Sequence, residues 1–138
     1  MLLGFKKSFA KPILQGSKVF TIRNQRKLEP KIGETLYMYT GLRTKDCNKI
    51  TDKHKLVSIQ LVDLYFSIDE EGNGWVDIIV DGRMLKNYEM QEFSKMDGFT
   101  DLKDFSDYWL ENVKPNRLGI KYHEAEDMII YHWTDLKL

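Results

Sequence analysis

One cysteine, three prolines and no surplus of charge of either sign characterise the 138-residue chain. Cys47 alone can form neither an intramolecular disulfide nor a zinc site built from several thiolates. So few prolines, with nine glycines, exclude a collagen-like or proline-rich disordered chain. The longest uninterrupted apolar run, Met1-Leu2-Leu3-Gly4-Phe5, stops at Lys6-Lys7. It is too short for a spanning helix or a signal-peptide core, which predicts a cytoplasmic protein without a membrane partner. Absent as well are G-x-x-x-x-G-K-[ST], G-x-G-x-x-G and G-x-S-x-G, the signatures of common nucleotide-cofactor and serine-hydrolase sites. His54 lies seven residues after Cys47, His123 and His132 are nine apart, and no H-E-x-x-H occurs. No metal or other cofactor is expected.

What is present fits one folded domain spanning residues 1–138. Hydrophobic residues make up 42% and charged residues 30%, and the length suffices for a real core but not for two ordinary ones. The 21 Lys+Arg balance the 21 Asp+Glu overall, yet not along the chain. Residues 1–55 carry 13 basic and 4 acidic side chains, whereas residues 56–138 carry 8 and 17. Such asymmetry means either a basic surface suited to phosphates or two halves that interleave in one sheet.

Strand patterns come first, then helical ones, then a closing strand, an α+β order. Residues 9–15 predict a short helix ended by Gly16, and 18–23 a strand with Phe20 and Ile22 on one face, Thr21 and Arg23 on the other. A loop over 24–34 leads to a strand over 35–40 in which Tyr37 and Tyr39 share a face. Residues 41–53, rich in turn formers and cations, predict a long surface loop. Residues 55–68 and 75–80 form a hairpin about Glu71-Gly72-Asn73-Gly74. Helical spacing follows in Leu85, Tyr88, Glu92 or Phe93, and Met96, and again in Leu102, Phe105, Tyr108 or Trp109, and Val113. Residues 128–134 read as the last strand. Trp75, Trp109 and Trp133 are expected in the core or at its edge.

Chemistry concentrates in Gly16-Ser17-Lys18-Val19-Phe20-Thr21-Ile22-Arg23. A helix-ending glycine that feeds a strand exposing Lys, Thr and Arg can aim donors and a hydroxyl into a concave surface; a plain amphipathic strand with a solvated face is the alternative. Together with Pro30-Lys31-Ile32-Gly33-Glu34 and Asp97-Gly98-Phe99, this segment resembles the ASCH domain of the PUA-like superfamily. The loop from Tyr39 to Ile50 is similar to that of a longer bacterial and phage subgroup. The likeness runs from about residue 5 to the strand ending at Trp133. It implies a PUA-like mixed β-barrel with short flanking helices, and a basic cleft that binds RNA, a nucleotide or a modified nucleoside.

Some small members of that family are amidohydrolases that deacylate N4-acetylcytidine with a Lys, a Thr and a Glu, and another is a ribonuclease. By motif position the resemblance puts the catalytic set on Lys18, Thr21 and Asp97, the last one methylene shorter than the family's Glu. Ligand contacts would come from Lys18, Arg23, Tyr37, Tyr39, Arg43 and Lys45, with the tyrosines stacking on a base or packing in a barrel core. In the hydrolytic reading Thr21 attacks the acyl carbon and neutral Lys18 accepts its proton. That requires the lysine pKa to fall by about three units, roughly 4 kcal/mol. It also requires Lys18 to precede the strand, because residues i and i+3 of a regular strand face opposite ways. A ribonuclease would use the same cleft, and a protein-interaction module would use the acidic half.

Overall fold

The computed structural model describes residues 1–136 and 138. Eight strands and three short α-helices follow one another as β1 (Leu2–Phe5), α1 (Ala10–Gln15), β2 (Phe20–Arg23), β3 (Thr35–Thr40), β4 (Asn48–Lys55), β5 (Ser58–Ile68), β6 (Gly74–Val80), β7 (Arg83–Met84), α2 (Asn87–Met96), α3 (Leu102–Leu110) and β8 (Lys121–His132). A 3₁₀ turn over Lys7–Phe9 leads into α1. The strands pair as two sheets, β1-β3-β4 and β2-β8-β5-β6-β7. The β1–β3 pair is parallel and every other pair antiparallel. The fold is α+β. Among the described residues no helix is long and apolar enough to cross a membrane.

Two cores form, and β8 serves both. Side chains alternate across a strand, so Ile130 enters the core beneath α2 and α3, while Ile129 and Tyr131 enter the core beneath β1, β3 and α1. This accounts for the unbroken buried run Met128–Trp133, which a strand with one wet face would not show. Phe20 of β2 faces the first core in the same way. Phe99 packs against both.

Most predicted elements hold; Lys55 belongs to β4, so the first hairpin strand begins only at Ser58, and four further corrections follow. The predicted loop over 41–53 ends at Cys47, because β4 already begins at Asn48 and pairs with β3 through a register broken twice by irregularities. Those shifts erase the alternation that a sequence reading looks for. The last strand begins seven residues before Met128, at Lys121. Its first half is polar, and a bulge at Asp127, whose φ is 56° and whose N–H donates to Asp63 Oδ1 at 2.8 Å, interrupts the pattern. The segment over 18–23 is regular only from Phe20 onward. Trp75 is 48% exposed on the hairpin rather than in the core.

The hairpin itself rests on a close approach. A Cβ on Gly74 would sit 1.7 Å from the Ser67 carbonyl oxygen, and Asp69 Oδ1 accepts from the N–H groups of Glu71 and Asn73 at 2.9 Å each. The acidic tip is thus a self-bonded turn.

Candidate functional site

Lys18 reaches its place because α1 stops abruptly. Gly16 takes a left-handed φ of 83°, which no Cβ opposes, and the chain turns so that Lys18 N–H donates to Pro12 O at 3.1 Å and Val19 N–H to Met96 O at 2.8 Å. Lys18 then forms an isolated antiparallel bridge with Asp97, the residue that caps the C-terminus of α2. It therefore lies before β2, as contact with Thr21 demands. Lys18 Nζ donates to Asp97 Oδ1 at 2.5 Å and to Asp97 O at 2.9 Å. The two residues are 2% and 5% exposed.

Thr21 and Arg23 come from the face of β2 opposite Phe20. Arg23 Nε donates to Thr21 Oγ1 at 3.1 Å and its Nη2 to Gly4 O at 2.7 Å. Since Thr21 Oγ1 accepts from the guanidinium, its own proton is free to point elsewhere. Aromatic rings wall the site. Lys18 Nζ lies 4.4 Å from the Phe9 ring centre and 5.8 Å from that of Phe5, and Arg23 Cζ lies 4.8 Å from the Phe5 ring. Both cations thus trade water for ring faces.

Together these groups line a cavity of about 220 Å³, with Lys6, Tyr108 and Trp109 completing it. Pockets for drug-sized ligands run to roughly 300–1,000 Å³, so this one suits a small ring or acyl group. No residue of the hairpin over 69–82 lines it. Burial lowers the Lys18 ammonium below its ordinary 10.5, and nearby Arg23 adds to this against the pull of Asp97. Burial likewise raises the Asp97 carboxyl above 3.8, against Lys18 and Arg23. Burial thus works against the charged form of both partners, while their mutual attraction favours it.

Lys18, Thr21, Arg23 and Asp97, all predicted, are brought to one recess. Tyr37, Tyr39, Arg43 and Lys45 are not among its lining residues. Tyr37 is 45% exposed and shares with Tyr39 the outer face of β3, opposite the buried Leu36 and Met38; Arg43 and Lys45 lie exposed in the β3–β4 loop. The sequence reading missed the walls, Phe5 and Phe9. Alternation in Leu2–Phe5 was the available signal, hidden in a run read only as apolar. Among the described residues no three His, Cys, Asp or Glu side chains cluster as metal ligands would. No known protein family, curated protein or solved structure matches this chain.

The left-handed Gly98, φ 92°, presses on this arrangement: a Cβ there would meet Lys18 Cβ at 3.0 Å. Gly98→Ala is expected to cost about 1–2 kcal/mol from backbone strain alone. It should also weaken any ligand of the cavity by displacing Lys18. Urea melts and a ligand titration on the same variant check both.

Proposed function

We propose that the chain is an ASCH-type, PUA-like domain whose cavity takes the base of a modified nucleoside. The observation that carries this is the composition of one small recess: two aromatic walls, a hydroxyl, a guanidinium and a carboxylate converging on about 220 Å³. The lining offers apolar ring surface and, beside it, donors and an acceptor for the polar edge of a base. Phosphate recognition by Lys18 has less support, because the ammonium is buried and already held by Asp97. Calorimetric titration with N4-acetylcytidine and with cytidine tests the reading. Saturable binding of either, weakened in Arg23→Ala, is expected; no heat with any acylated or free nucleoside would count against it.

A second reading, amide hydrolysis, is favoured by Lys18 and Thr21 lining the same recess with the lysine held below its ordinary pKa. Thr21 Oγ would attack the acyl carbon as its proton passes to Lys18 Nζ, with Arg23 facing the oxyanion. Collapse would break the C–N bond and return that proton to the leaving amine. Water would then hydrolyse the acyl-threonine. Free cytidine and acetate appearing together on chromatography would separate turnover from mere binding.

A further inference from the structure

We infer that the outer face of the β1-β3-β4 sheet binds a single-stranded polynucleotide, with Tyr37 and Tyr39 as stacking rings and Lys55, Arg43 and Lys45 at the phosphates. The two tyrosines lie two residues apart on β3, about 7 Å along the strand, far enough for each ring to take its own base. Their neighbours across the sheet are fixed by register. Leu2 and Gly4 of β1 lie beside Tyr37 and Tyr39, and on the other side Lys49 pairs with Tyr39 and Lys55 with Thr35. Directly paired residues share a face, so lysines flank the tyrosine row.

The charge on this half of the molecule is one-sided, with 13 basic against 4 acidic residues in the segment that supplies the whole sheet. Two of those four acids are already engaged. Glu34 meets the N-terminal ammonium at 3.1 Å, and Asp52 meets Lys49 at 2.5 Å. Lys55, Arg43 and Lys45 have no ion-pair partner among the described residues. A surface with one exposed and one half-buried tyrosine ring beside unpaired cations, on a sheet whose other face is core, matches the requirements of single strands, where every base offers a π-face. A duplex keeps its bases stacked and offers the tyrosines nothing.

The face also leads somewhere. Gly4, beside Tyr39, lines the cavity, and its carbonyl accepts from Arg23. Arg26 Nη2 donates to Leu2 O at 3.2 Å along the same edge. A strand lying over the tyrosines therefore runs beside the β-strand whose Gly4 lines the cavity. The inference does not require that the cavity bind a nucleoside, and it survives if that reading fails.

Fluorescence anisotropy of a short labelled oligouridine tests it. Tyr37→Ala is expected to weaken binding about fivefold or more, the loss of one stacked base, while Tyr37→Phe keeps wild-type affinity. Lys55→Ala is expected to make the slope of log affinity against log salt shallower by about 0.7. No binding of the oligouridine by the wild type, equal binding of a duplex, or unchanged affinity in Tyr37→Ala would each overturn the inference. Nucleoside titration of Tyr37→Ala, expected to match wild type, keeps failure of this surface distinct from failure of the cavity.

Discussion

Replacing Asp97 by alanine is expected to lower the stability of the fold by about 3–5 kcal/mol, the cost of leaving one member of a buried ion pair alone. Lys18 would keep only the Asp97-position carbonyl and the faces of Phe5 and Phe9 as partners. The double variant Lys18→Met with Asp97→Leu is expected to recover more than half of that loss, since two apolar side chains of similar size carry no desolvation penalty. The pH dependence of the single variant has a definite sign. A lysine whose folded pKa lies below its unfolded 10.5 binds protons less readily in the native state. Stability should therefore rise as pH climbs toward 10.5, and fall as pH drops through the folded value. Urea denaturation across that range measures both effects. A loss under about 1 kcal/mol, typical of exposed pairs, would contradict the burial described for this pair.

In the hydrolytic reading, Lys18→Arg is expected to reduce kcat by about 10²–10⁴, the range of general acid–base contributions. Arginine keeps the positive charge and a donor for Asp97, but it does not deprotonate in proteins. Thr21→Ala should abolish turnover at least as completely while leaving nucleoside binding nearly intact, because it removes the attacking oxygen and little of the wall. The pH–rate profile of the wild type should show a limb that rises with pH through the Lys18 value, below 10.5, as the amine becomes neutral. Activity in Lys18→Arg equal to wild type would remove Lys18 as the base and, with it, this mechanism.

Local chemistry made much of this site legible. Gly16 marked the end of α1, the β-branched residues after it marked β2, and alternation put Thr21 and Arg23 on the face away from Phe20. Periodicity alone ran the strand from Lys18; only the condition that Lys18 meet Thr21 required the lysine to sit before it. What could not be read was distance along the chain. Asp97 lies 79 residues from Lys18, and only a resemblance, not periodicity, pointed to it. Strand β1 went unread because its parallel partner β3 begins some thirty residues later, and four residues of mostly apolar sequence carry no turn signal. Tyr37 and Tyr39 were correctly placed on one face of a strand, but a strand pattern does not say which side of the molecule that face meets. The β4 and β8 boundaries were lost to irregular pairing, which breaks period-two alternation at the very residues that need it.

Because β8 lies between β2 and β5, the order of synthesis constrains how the molecule is assembled. Until residues 121–132 emerge from the ribosome, β2 has no hydrogen-bonding neighbour and β5 lacks one of its two. Thr21, paired with Tyr131, cannot be fixed until β8 has been synthesised. Nascent chains stalled before β8 should thus be protease-sensitive at β2 and prone to clump through bare strand edges. The recess would close only once β8 is free to pair with β2.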